Sequence, residues 1–283
     1  MNSDDGETAT EATAEEPQYH LDVTSDDVAD CVLLPGDPGR IEAFTDVWDT
    51  HEERAANREY RTVTGTYREA DLSVTSTGIG SPSAAIAVEE LAEVGAETLV
   101  RVGSSGGIQP HLEPGELVIS TGAVRREGTS EEYVRESYPA VADYEVVCAL
   151  VTAAERLDYD YHTGLTVSTD SFSVGQGRTG LDGFESATSA GIVEELRSTG
   201  ALNFEMEASA IFTLASIYDL RAGAVCTVDS VRGKNESSRD SDEWERRAVE
   251  TASLAVSILR AMDDATDSHA TDHWHADLTV ADE

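Results

Sequence analysis

Lysine is nearly absent. Lys234 is the single lysine in a chain of 283 residues that sets 19 basic side chains against 56 acidic ones, a formal charge of −37. So acidic a surface repels phosphate backbones and excludes a nucleic-acid binder, which needs basic patches. It excludes anionic membrane surfaces for the same reason. Cysteine is scarce as well. Cys31, Cys148 and Cys226 stand apart and are odd in number, which fits a reducing compartment and small buried roles rather than a disulfide framework or a clustered metal site. No apolar run approaches the roughly 20 residues of a membrane-spanning helix. The opening residues lack a basic end followed by an apolar stretch, so no secretory leader is expected and the cytoplasm is the expected location.

What is present is an apolar fraction of 40%, enough for a packed core. The acidic excess runs through the middle of the chain as well as its ends. Self-repulsion of that size destabilises a compact state unless salt screens it. A salt-rich cytoplasm, and hence a halophilic protein, is the expectation. Residues 1–17 and 263–283 are acidic, lack apolar periodicity and read as disordered tails. The second contains His269, His273 and His275, which read as a solvated tail rather than a metal site.

Between the tails, short apolar runs alternate with helical patterns. Strands are expected at 30–36, 72–80, 98–107, 116–124, 162–172 and 222–231. Helices are expected at 81–96, with Ser81 as N-cap and Pro82 behind it, and at 141–157, 189–200, 206–220 and 244–262. The alternation predicts an α/β layer fold with chemistry at the strand ends.

Four stretches concentrate chemical groups. In PGDPGR (35–40), Gly36 and Gly39 let backbone N–H groups approach a ligand and Arg40 adds a fork of donors. In LVRVGSSGG (99–107), Arg101 lies inside an apolar strand, where a charge needs a partner, and Ser104 follows between glycines. The same run spells G-x-S-x-G around Ser105, the nucleophile elbow of serine hydrolases, but it lacks a suitable late histidine and a following helix. In STDSFSVGQGR (168–178), Phe172, Gln176 and Arg178 offer an aromatic face, an amide and a guanidinium to a flat heterocycle. In LNFEMEASAIF (202–212), Glu205 and Glu207 flank Met206 at a helix entrance, where carboxylates either partner the helix dipole or accept from sugar hydroxyls.

Together with NREYRT, STGIGSPSAAIAVEEL, YPAVADYE and LRAG, these stretches resemble the nucleoside phosphorylase family, with its uridine-cleaving branch nearest. The matching text covers about residues 18–262. The resemblance implies a three-layer α/β/α domain around a central mixed twisted sheet, assembled as a hexamer, a trimer of dimers with shared active sites. It implies phosphate held by Gly36, Arg40, Arg101 and Ser104, with Arg58 donated by a neighbouring subunit. It implies ribose contacts from His20, also donated, and from Met206 and Glu207, with Glu205 supporting them. Phe172, Gln176 and Arg178 would read the base. Glu59, Ile79 and Ser83 match the family's potassium site at the dimer interface. No cofactor is implied beyond inorganic phosphate as co-substrate. Nucleoside and phosphate are the implied substrates, with no nucleic-acid or membrane partner. Arg178 and Glu207 would stabilise the charges that develop in phosphorolysis.

Of the bases, uracil is the expected one, with a 6-oxopurine as the alternative. Uridine fits Gln176 and Arg178. A 6-oxopurine nucleoside such as guanosine or inosine fits if Asp229 acts as a general acid. A nucleoside-binding module without chemistry is the non-enzymatic alternative.

Overall fold

The computed structural model describes residues 14–234 and 241–278; the disorder expected for residues 1–13 lies outside them. The first half runs β1 (Cys31–Leu34), α1 (Ile41–Thr45), β2 (Thr50–Asn57), β3 (Tyr60–Tyr67), β4 (Ala70–Thr75), α2 (Ser81–Glu93) and β5 (Thr98–Gly107). Then come β6 (Leu117–Arg126), α3 (Thr129–Tyr133), β7 (Ala140–Val141), α4 (Tyr144–Arg156) and β8 (Tyr161–Thr169). The chain continues with α5 (Ile192–Ser198), β9 (Asn203–Glu205), α6 (Ala208–Ile217), β10 (Arg221–Val231) and α7 (Ser241–Ser268).

The strands form one mixed sheet. From the edge its order is β2, β3, β4, β1, β5, β10, β6, β8, β9. The β2–β3–β4 meander is antiparallel, and β4, β1, β5 and β10 are parallel neighbours. β9 runs parallel to β8 and then pairs antiparallel with the end of β5, so β5, β10, β6, β8 and β9 close into a ring.

Alternation along the central strands builds two cores. Val32, Leu34, Leu99, Ala222 and Ala224 face α2 and α6, while Leu33, Val100, Val102 and Val225 face α1, α4 and α7. Side chains such as Leu33 and Leu99 are fully buried, and each contributes about 1.5–3 kcal/mol. Gly223 lets α4 sit directly on β10, because a Cβ there would collide with Val146 Cγ1. Helices on both faces of a mixed sheet give the expected three-layer α/β/α architecture.

Three local expectations need correction. Ser81 is the first helical residue and does not cap α2; Gly80, at φ 97°, holds the N-cap position and the Ser81 hydroxyl donates to the Met206 carbonyl instead. The tail expected from residue 263 is helix as far as Ser268. Beyond it the chain turns back: Trp274 N–H donates to Glu145 Oε1 (2.9 Å), Tyr144 Oη donates to the Trp274 carbonyl (2.8 Å), and Leu278 is buried. A tryptophan and a leucine supply apolar anchors that the acidic composition hid. At the other end, the Ala14 carbonyl accepts from Ser25 N–H, so the chain is tied down before residue 18.

Candidate active site

A cavity of about 310 Å³ opens where the sheet's strands end. The loop after β1, the end of β5, the loop after β8, the β9–α6 junction and the end of β10 all reach it. It is lined by Gly36, Arg40, Arg101, Ser104, Phe172, Gln176, Arg178, Glu205, Met206, Glu207 and Asp229, so distant stretches of chain converge on one space.

At one end sit Gly36, Arg40 and Ser104. Asp37 Oδ1 accepts from Gly39 N–H (2.8 Å) and sets the turn that places Arg40. Arg40 Nη2 donates to Ser104 Oγ at 3.4 Å, and its Nε lies 3.2 Å from Glu245 Oε2 of α7. A side chain at Gly36 would crowd the next loop, since a Cβ would lie 3.1 Å from the Gly78 carbonyl.

Arg101 is buried at the cavity floor. Its Nε donates to Glu205 Oε2 (2.7 Å), and its Nη2 pairs closely with Glu207. Burial works against the Arg101 charge, but Glu207 and Glu205 outweigh it and hold the guanidinium charged. Its Nη1 finds no hydrogen-bond partner among the described residues, leaving one buried donor for a ligand.

Glu205 is fully engaged. Besides Arg101, it accepts from Ser168 Oγ and from the N–H groups of Glu207 and Ala208, at the start of α6. It therefore positions the junction and leaves Met206 and Glu207 as the groups facing the middle of the cavity. Glu207 also accepts from Gly80 N–H at 2.5 Å. Burial pushes the Glu207 carboxyl up, Arg101 opposes this and Glu205 adds to it, because two buried carboxylates share one guanidinium.

At the other end, Gln176 is held by two arginines. Its Oε1 accepts from Arg178 Nη1 (3.1 Å) and Arg232 Nη2 (2.8 Å), which fixes the amide and turns Nε2 outward as a donor. The Arg178 guanidinium stacks 4.4 Å above the Phe172 ring and donates to the Phe172 carbonyl. Burial, followed by the charge of Arg178, pushes Arg232 down to about 10. Arg232, just past the end of β10, is absent from the sequence-based site; unlike Arg101, it does not lie inside an apolar run.

Asp229 sits at the first end. It falls at a bulge in β10, where Val228 pairs with Ser105 and Ser230 with Gly106, so its side chain is re-aimed. Its Oδ1 accepts from Thr227 Oγ1 (3.4 Å); burial pushes the carboxyl up, opposed by the neighbouring Ser104 hydroxyl and the Arg40 charge.

His20 and Arg58 do not reach this cavity. His20 Nδ1 contacts Glu90 Oε1 at 2.6 Å, its carbonyl accepts from Asn57 Nδ2, and Arg58 lies over the neighbouring Tyr19 ring in the β2–β3 turn. Ile79, 77% exposed, forms the cavity's open rim, and Ser83 Oγ lies 3.3 Å from the Ile79 carbonyl. The Glu59 side chain packs against Gly78 beside them.

The serine-hydrolase alternative fails on geometry. β5 runs straight through Ser105 to Gly107 with no sharp turn, Ser105 Oγ donates to the Thr227 carbonyl (2.9 Å), and no histidine lines the cavity. Among the described residues no group of three or more His, Cys, Asp or Glu is placed to hold a metal ion, and no helix is long and apolar enough to cross a membrane.

Residues 30–262 match the family model of the phosphorylase superfamily, and the chain belongs to that family. A uridine phosphorylase of Thermococcus kodakarensis is 51% identical over 263 residues, 93% of this chain and 94% of that one. A guanosine phosphorylase of Halorubrum lacusprofundi is 42% identical over 243 residues, 85% of this chain and 95% of that one. The crystal structure of uridine phosphorylase from Vibrio fischeri superposes with a TM-score of 0.77 at 32% identity, covering 86% of this chain and 98% of that one.

Proposed function

We propose that this enzyme is a uridine phosphorylase, a pentosyltransferase converting uridine and inorganic phosphate into uracil and ribose 1-phosphate. The observation that carries the reading is a single cavity with guanidinium donors at both ends and a carboxylate between them. Hydrogenphosphate at Gly36, Arg40, Arg101 and Ser104 attacks the ribose carbon as the glycosidic bond breaks. The bond's electron pair leaves with the base, and the proton of hydrogenphosphate ends on the base. Positive charge builds on the ribose beside Glu207. Negative charge builds on the base beside Gln176 Nε2 and Arg178, with Arg232 holding the Gln176 amide from behind. Phosphate is the nucleophile, so no covalent protein intermediate is needed and positioning lowers the barrier.

The fixed amide and paired arginines suit uracil's carbonyl–NH–carbonyl edge. The 6-oxopurine reading keeps the support of the Halorubrum relative. However, Asp229, its intended general acid, accepts from Thr227 of its own strand and lies under the charge of Arg40. The deciding experiment is phosphate-dependent base release from uridine, thymidine, guanosine, inosine and adenosine. Uridine should be cleaved fastest, and turnover should vanish without phosphate. Unchanged release in phosphate-free buffer would sink the phosphorylase reading, and guanosine outrunning uridine would move the assignment to purines.

His20 and Arg58 lie together on a surface outside their own cavity, next to the exposed Tyr19. That placement supports their donation to a neighbouring subunit's site within a hexameric trimer of dimers. Glu59, Ile79 and Ser83 offer a carboxylate, a carbonyl and a hydroxyl close together. This all-oxygen set suits potassium at the dimer interface. The acidic composition supports a halophilic setting, and a salt-rich cytoplasm is the setting we propose.

A further inference from the structure

α6 starts at the wall of the cavity, and the N–H groups of its first turn have no acceptor within the helix. An N-cap side chain ordinarily turns back and accepts from the second or third of them. Glu207 holds the N-cap position of α6 and makes no such bond. Its carboxylate meets Gly80 N–H and Arg101 instead. Glu207 Oε2, buried and paired with Arg101, accepts no hydrogen bond among the described residues, so lone pairs remain there for a sugar hydroxyl.

Neighbouring strands supply the cap that Glu207 does not. Ser168 lies near the end of β8, and the parallel register of β8 and β9 sets it beside Glu205. Ser168 Oγ accepts from Ser209 N–H, the second of α6 (2.8 Å), and gives its one proton to Glu205 Oε1. Glu205 Oε2 accepts from Ala208 N–H, the first (2.9 Å). Ser209 Oγ donates to Glu127 Oε1 (2.9 Å), and Glu127, just past β6, also accepts from the N–H and hydroxyl of Ser130. Ser168, Ser209, Glu127 and Glu205 are all buried. The two carboxylates lie at the positive end of the helix, where negative charge is favoured.

We propose that Ser168 is a positioning residue for the sugar: by capping α6 from a neighbouring strand and holding Glu205, it frees Glu207 from its own helix and keeps that carboxylate on the ribose hydroxyls. This inference rests on the phosphorylase reading and adds to it the residue that sets the sugar contact.

Ser168 is not among the residues lining the cavity, so it acts through the groups that are. Without its hydroxyl, Ser209 N–H becomes a buried donor with no acceptor, and Glu205 Oε1 loses the donor that held it. Glu207, at the N-cap position, is the carboxylate that chain position places to take up the orphaned N–H. A Glu207 turned onto its own helix no longer grips the sugar. The cost falls on substrates that carry the hydroxyl Glu207 contacts, and spares those that lack it.

The test measures kcat/KM in saturating phosphate for uridine and its 2′-deoxy, 3′-deoxy and 5′-deoxy analogues, on full-length wild type, Ser168→Ala and Ser168→Cys. Alanine offers neither donor nor acceptor; cysteine fills the space with a weak form of each. The wild-type preference for uridine over the 2′-deoxy or 3′-deoxy analogue should narrow on the order of tenfold in Ser168→Ala, the loss of one charge-assisted hydrogen bond, and by less in Ser168→Cys. The preference over 5′-deoxyuridine should stay as it is. All four nucleosides slowing by a common factor, or none slowing, would make Ser168 a purely structural residue and overturn the proposal while the phosphorylase reading stands. A wild type indifferent to both secondary hydroxyls overturns it as well. Should Ser168→Ala fail to fold, Ser168→Cys decides alone: a narrowed preference supports the proposal and an unchanged one overturns it. A wild type that cleaves none of the four with phosphate overturns both readings.

Discussion

Arg101 shows how a side chain can be structural and functional at once. It is buried with two carboxylates on one side and an unused donor on the other. Arg101→Met would strand Glu205 and Glu207 as buried charges at the start of α6. Breaking a buried pair typically costs about 3–5 kcal/mol, and the loss should appear as a lower urea midpoint. A cost below about 1 kcal/mol would show that the two carboxylates are protonated or solvated instead. This residue was legible in the sequence because a charge inside an apolar strand demands partners. The identity of its partners was not, since Glu205 and Glu207 lie a hundred residues further on. Arg232 was not legible, because it shares its stretch with Asp229 and only the folded chain reveals which of the two meets Gln176.

At the scale of elements, the glycine-rich end of β5 lets other groups lie across the strand. A Cβ on Gly106 would come within 2.7 Å of Arg232 Nη1. That neighbour is the mobile end of a long side chain, so Gly106→Ala should barely change stability. It should, however, push Arg232 off Gln176. Losing one charge-assisted hydrogen bond predicts a fall on the order of tenfold in kcat/KM for the nucleoside, with phosphate KM unchanged. Steady-state kinetics with each substrate varied in turn separates the two ends of the cavity. An equal effect on both substrates would mean that the substitution distorts β5 itself. Most helices and central strands were readable from apolar periodicity. β9 was not, because three residues cannot display a period and the run passes directly into a helix. β2 and β3 also went unread: β2, Thr50–Asn57, is exposed almost throughout and lacks an apolar alternation.

For the whole molecule, the net charge of −37 is the dominant global term. Repulsion between surface carboxylates falls as salt shortens the screening length from about 10 Å at 0.1 M to about 3 Å at 1 M. The melting temperature should therefore rise between low and molar KCl, and a scan that stays level across that range would remove the case for a salt-adapted protein. Composition alone carries this expectation. The joining of residues from 36 to 230 around one cavity was invisible to composition and came from the topology.

The return of β9 to β5 has a further consequence for solubility. A sheet that closes on itself along one flank offers no unpaired strand there for another chain to join. Among the described strands the long exposed edge is β2, and its outer stretch reads Thr-His-Glu-Glu-Arg, interrupted by a pairing irregularity between Glu53 and Ala55. Charged side chains and a break in the ladder discourage edge-to-edge stacking into fibrils, so the only long flank left open is the one least able to recruit a second sheet.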